Sequence, residues 1–95
     1  MVDKNGHTPF HIASRKGEIN VCKLIIQDII DKNPSNDKGK TPNHSFAKLD
    51  YLELCKLLIG NINEKNPNDK IGQTPLHLAA TRGNVSICEY IIDII

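Results

Sequence analysis

Apolar residues along the chain recur at helical spacing in short and long blocks. In the first long block Cys22, Ile25, Ile26 and Ile29 fall at i, i+3, i+4 and i+7, while Lys23, Gln27 and Asp28 take the polar side. This pattern predicts an amphipathic helix from about Ile19 to Ile30. The short block before it, PFHIASRK, has Thr8 where a hydroxyl caps a helix N-terminus. Pro9 stands at the first helical position, where its missing N–H costs nothing. Gly17 then ends the helix after about two turns, because glycine takes the left-handed conformation of a C-terminal cap. Thr74, PLHLAATR and Gly83 repeat the device. The segments between blocks, DKNPSNDKGK and NEKNPNDKIGQ, are dense in Asn, Asp, Pro and Gly and predict turn-forming loops.

These blocks belong to one internal period. Thr8-Pro9, Thr41-Pro42 and Thr74-Pro75 are each 33 residues apart, as are Gly6, Gly39 and Gly72, His11, His44 and His77, and Cys22, Cys55 and Cys88. Asn33-Pro34 and Asn66-Pro67 keep the same frame. Each period therefore reads as helix, turn, helix and reversing loop. A two-helix unit of that size cannot bury its own apolar side, so stacking on its neighbours is required.

Gly39-Lys40-Thr41-Pro42 with His44, and above all Gly72-Gln73-Thr74-Pro75-Leu76-His77-Leu78-Ala79-Ala80 followed by Gly83, closely resemble the ankyrin repeat. The resemblance covers essentially the whole chain. It divides it into a repeat over 1–35, a second over 36–68 with a divergent first helix, and a truncated third over 69–95, together one repeat domain. It implies an all-α ankyrin-repeat solenoid: antiparallel helix pairs stacked in a row, with β-hairpin-like loops projecting to one side. Loops and first helices would then form a concave surface.

The middle unit breaks the pattern. Asn43 and Ser45 stand where the third unit has Leu76 and Leu78, Phe46 replaces the small Ala79, and Asp50 replaces Gly83. An extra-large side chain in a close helix contact typically costs about 1–3 kcal/mol. The first helix of this unit is thus expected to be shifted or loosened, unless Phe46 and Leu49 supply the apolar face that Asn43 and Ser45 abandon; that compensation is the preferred reading. Ile29 and Ile62 occupy positions where a glycine is conventional, and are expected to extend the second helices or to fill space beneath the loops. The run IIDII, with Ile91, Ile92, Ile94 and Ile95, has no polar cap after it, which suggests a piece of a longer array.

Composition narrows the function. The chain has 95 residues, and domains of this size bury only about 60–70% of their unfolded surface, which disfavours a deep enclosed active site. Twelve Lys and Arg against eleven Asp and Glu leave a net charge of +1, without the basic excess that nucleic acid rewards. Asp28, Asp31 and Asp93 interrupt the isoleucine-rich segments, so no membrane span is expected. An odd number of cysteines and an opening MVDKNGHTPF without an apolar stretch point to the reducing intracellular environment, and the cytoplasm in particular.

Candidate chemistry is sparse. The cysteines are spread through the sequence without a Cys-x-x-Cys pair, and they read as small buried hydrophobes, not zinc ligands. His11, His44 and His77 stand three residues after their threonines, next to the loops, and read as partners for loop and helix-end backbone groups. A general base would need a partnered nucleophile, and none is visible. His7 lies in a loop and is expected to be exposed. No catalytic residue, metal or cofactor is assigned, and the chain reads as a non-enzyme.

What the resemblance implies for function is protein–protein interaction, as a scaffold or adaptor. Carried over position by position, it places partner contacts at Lys4, Asn5, His7, Arg15 and Lys16 in the first unit. In the second they fall at Asp37, Lys38, Lys40, Lys48 and Leu49, and in the third at Lys70, Ile71, Gln73, Thr81 and Arg82. Leu49 and Ile71 are apolar where solvent is expected, and Tyr51 opens a second helix nearby. Leu49, Tyr51, Ile71 and Arg82 are therefore proposed as the middle of the patch, with burial of Leu49 in the irregular helix as the equal alternative. The competing reading is a structural spacer of a larger repeat protein, without a patch of its own.

Overall fold

A computed structural model describes residues 2–28, 34–62 and 65–95. Six helices follow one another among these residues: α1 (Pro9–Lys16), α2 (Ile19–Asp28), α3 (Pro42–Lys48), α4 (Leu52–Ile59), α5 (Pro75–Arg82) and α6 (Val85–Ile94). The expected extension of α2 to Ile29 and Ile30 lies outside the described residues. The pairs α1/α2, α3/α4 and α5/α6 pack internally, α1, α3 and α5 form one row, and α2, α4 and α6 form a second. No helix of the described residues is long and apolar enough to cross a membrane.

The same cap starts each first helix. Thr8, Thr41 and Thr74 hold extended backbone and accept a hydrogen bond on the side-chain oxygen from the N–H of His11, His44 and His77. In return each imidazole Nδ1 accepts the threonine N–H, at 3.0 Å for Thr8, 3.0 Å for Thr41 and 3.1 Å for Thr74. This is a capping box with histidine in the place usually held by Glu or Gln. Because Nδ1 accepts, the neutral ring carries its proton on Nε2. That proton is donated to the next loop: His11 to the Lys40 carbonyl at 2.9 Å, and His44 to the Gln73 carbonyl at 2.9 Å.

The loops are hairpin-like and share an anchor. Asp3 Oδ1 accepts the N–H groups of Asn5 and His7, Asn36 Oδ1 those of Lys38 and Lys40, and Asp69 Oδ1 those of Ile71 and Gln73. Neighbouring loops are also joined, by Asp37 N–H to the Asn5 carbonyl at 3.1 Å and Lys70 N–H to the Lys38 carbonyl at 2.9 Å. The approach is close enough to require glycine: a Cβ at Gly39, where φ is +76°, would stand 2.9 Å from the Lys70 nitrogen.

Between the two helix rows lies an aliphatic core that includes Cys22, Ile26, Leu54, Cys55, Leu58, Ile59, Ile87 and Ile91, with Phe10 and Phe46 beneath the first helices. The divergent middle helix is regular from its cap onward and is not loosened. Phe46 is fully buried and meets Phe10 edge-on, with ring centroids 6.0 Å apart. Asn43 beside it is also fully buried; its amide donates to the Lys65 carbonyl at 3.1 Å, and its Oδ1 accepts the Cys55 thiol at 3.4 Å. Large and polar side chains thus exchange places relative to Leu76 and Ala79, and the core stays filled. Asp50 adopts φ 63°, the left-handed conformation that Gly17 and Gly83 hold, so α3 stops at Lys48 with Leu49 as its half-buried C-cap. Short polar Asp tolerates this better than most residues.

Of the two alternatives for Ile62, helix extension is the one that does not occur. Helix α4 ends at Ile59 before Gly60; Ile62 is half-buried and packs against the core. Of the terminal isoleucines, Ile91 is fully buried and Ile94 half-buried, whereas Ile92 and Ile95 are exposed. Ile29 lies outside the described residues.

Candidate functional site

The hairpin loops and the row α1, α3, α5 enclose a groove of about 450 Å³. One wall is the pair of loops carrying Asn5, His7, Asn36, Asp37, Lys38 and Lys40. The other is the outer side of the first helices, with Arg15, Ser45, Lys48, Leu49, Leu78 and Arg82, and at the floor lie His11, Thr41 and His44. Among the described residues the second helices contribute none of the lining.

Nine of the residues that sequence reasoning nominates line this groove: Asn5, His7, Arg15, Asp37, Lys38, Lys40, Lys48, Leu49 and Arg82. Lys4, Lys16, Lys70, Ile71 and Thr81 are exposed outside it, and Gln73 is half-buried with its carbonyl taken by His44. The proposed centre does not assemble as one cluster. Leu49 and Arg82 face the groove, but Ile71 is 79% exposed at the tip of the third loop. Tyr51 is half-buried over the α1–α2 turn, where a Cβ at Gly17 would meet its hydroxyl at 2.6 Å. Ser45 and Leu78 are lining residues that the sequence reading passed over. Each stands four positions before a nominated residue, Leu49 or Arg82, and the i,i+4 rule puts such pairs on one helix face.

His7 is half-buried, not exposed as expected. Its Nδ1 lies 3.2 Å from the Asp3 carboxylate, and its ring meets that of His11 at 5.7 Å. The two rings stand at a spacing that metal sites also use, yet both nitrogens of His11 are engaged, by Thr8 and by the Lys40 carbonyl. Burial pushes the pKa of His11 and of His44 below the ordinary histidine value, opposed in part by their hydrogen bonds to the Lys40 and Gln73 carbonyls. Protonation would also set a second donor against the threonine N–H. Both rings are therefore neutral structural clips near pH 7. His77 has the same Thr74 cap but is exposed.

Two of the three thiols are equally structural. Cys22 and Cys55 are fully buried, and burial raises both pKa values, that of Cys55 to about 12, which suppresses the reactive thiolate. The groove thus presents cationic, polar and apolar side chains on a backbone fixed by histidine clips and Asx turns. Such a surface can bind by shape and charge.

Comparison with curated proteins finds no match to the chain. Two family models do match: one described as "Ankyrin repeats (3 copies)" over residues 29–94, and one described as "Ankyrin repeat" over residues 5–37. Ankyrin repeats are in general non-catalytic modules for protein–protein interaction. With the stacked helix pairs, the ladder of hairpin loops and these matches in agreement, the chain belongs to the ankyrin repeat family.

Proposed function

We propose that this chain is a non-catalytic recognition module that holds a segment of another protein in the groove between its hairpin loops and first helices, as part of a scaffold or adaptor. The observation that carries the reading is a division of labour. Residues repeating every 33 positions (Thr8, Thr41, Thr74 and their histidines) fix the backbone. The side chains lining the helix wall, Arg15, Lys48, Leu49, Leu78 and Arg82, vary from unit to unit and stand outside the buried core. Variable side chains on a rigid, repeated frame are what selective binding at low ordering cost requires.

The test is peptide display against the folded chain, followed by photo-crosslinking from position 48 in the groove and from position 23 on α2. Strong crosslinks from 48 and weak ones from 23 support the reading; the reverse, or failure to select any peptide, rejects it.

The spacer reading has one observation in its favour. Ile71, Val85, Ile92 and Ile95 are exposed, and Gly72 and Gly83 face open space where Gly39 and Gly17 are covered by the next unit. The open side of α5 and α6 therefore fits a further ankyrin repeat, which makes the chain one segment of a longer array of units framed as 1–35, 36–68 and 69–95. Its three free cysteines favour a reducing, cytoplasmic setting.

A further inference from the structure

The chain as a whole is close to neutral, at +1, but its charges are not evenly spread. Among the described residues the groove is lined by Arg15, Lys38, Lys40, Lys48 and Arg82 against the single carboxylate of Asp37. None of the five cations is ion-paired among the described residues, where the recorded pair is His7 with Asp3. Arg15, Lys48 and Arg82 stand in the last turns of α1, α3 and α5, where the helix dipole favours a cation, so their position alone requires no ligand. Lys38 and Lys40 have no such reason. They come from the loop that forms the opposite wall, so positive charge faces the groove from both sides.

We infer that the groove selects an acidic polypeptide segment, whose carboxylates meet these five cations while an apolar side chain of the segment rests on Leu49 and Leu78. The inference rests on the reading of the groove as a peptide-binding surface and specifies its partner. A concave site focuses the field of its charges and raises the local concentration of the opposite sign. The polypeptide is favoured over nucleic acid by two features. No Phe, Tyr or Trp lines the groove to stack a base, and two leucines stand among the cations, a mixture that suits carboxylates interrupted by an aliphatic residue.

The experiment is fluorescence anisotropy of the wild-type chain with a labelled twelve-residue peptide of alternating Glu and Asp around two central leucines. The comparison probes are the same peptide with Gln and Asn for the acids, and a twelve-nucleotide oligothymidine. The acidic peptide should bind at least about tenfold more tightly than the amide version and more tightly than the oligonucleotide, and its affinity should fall as salt rises. Combining Lys38→Glu, Lys48→Glu and Arg82→Glu should weaken it by about a hundredfold, taking each exposed charge reversal as worth several-fold. All three residues are exposed, so the thermal melt should match that of wild type. Should the triple variant fail to fold, the salt series and the amide peptide decide alone.

Equal binding of the amide peptide, blocked by Leu49→Ala, would overturn the acidic preference and leave the peptide groove standing. Tighter binding of the oligonucleotide would overturn it in favour of nucleic acid. Absence of binding by every probe would overturn it as well, while crosslinking of display-selected peptides would still judge the groove itself.

Discussion

His44→Ala removes a clip that joins two units, and the loss can be worked from its contacts. The ring is 1% exposed and holds two backbone groups, the Thr41 N–H through Nδ1 and the Gln73 carbonyl through Nε2. Alanine leaves the Thr41 N–H without a partner, at about 1–3 kcal/mol for a buried orphan, takes one of two donors from the Gln73 carbonyl, which keeps the Asp69 N–H at 2.8 Å, and opens a small cavity, so a total near 2–4 kcal/mol is expected. For a chain of this length, with about 5–14 kcal/mol in all, that is a large fraction. His77→Ala is the matched control. It deletes the same cap but an exposed ring, and capping losses run near 1 kcal/mol. Urea unfolding followed by helical circular dichroism gives both numbers. Equal losses, or a greater loss for His77→Ala, would refute the assignment of His44 as a tie between units.

Acid should destabilise the fold for the same reason. His11 and His44 have folded pKa values below the ordinary 6.5, so between that value and their lowered ones the unfolded chain binds more protons. Stability is fully present above about pH 6.5 and falls below it, by up to about 1.4 kcal/mol per pH unit for each ring; an unchanged urea midpoint from pH 7.5 to 5.5 would contradict this. Of the three free thiols, the half-buried Cys88 should react with a disulfide reagent in the native chain while Cys22 and Cys55 wait for denaturant. Peptide mapping that finds Cys55 labelled first would reject that order. Gly39→Ala should cost about 1–3 kcal/mol more than Gly72→Ala, because both sites have positive φ but only Gly39 touches the neighbouring loop, where an added methyl overpacks. Equal costs in chemical denaturation would remove the close loop contact as the cause.

Much of the fold is legible in the sequence because the backbone-fixing residues keep both their identity and their spacing. Thr8, Pro9, His11 and Gly17 each state a local geometry, and their recurrence states the stacking. The loop anchors are harder to read, since Asp3, Asn36 and Asp69 perform one task with two residue types. Compensation in the middle unit is visible only in three dimensions: Phe46 fits because Phe10 from the neighbouring helix meets its edge and because Asn43 finds polar partners in a loop and a thiol. The candidate site divides in the same way. Residues on the first helices and the middle loop reach the groove, as the repeat frame predicts. Tyr51 does not, because the left-handed turn at Asp50 directs the chain back toward α2 and sets the ring over Gly17. Proximity in sequence to Leu49 is therefore a poor guide to which side of the molecule a residue serves.

The groove itself is judged most directly by the amide chemical-shift map of the isotopically labelled chain titrated with a display-selected peptide. Shifts should trace one stripe through Arg15, Lys40, Ser45, Lys48, Leu49, Leu78 and Arg82, with Lys23, Glu53 and Glu89 on the second helices unmoved. A map centred on α2, α4 and α6, with the stripe silent, would contradict recognition through the concave face.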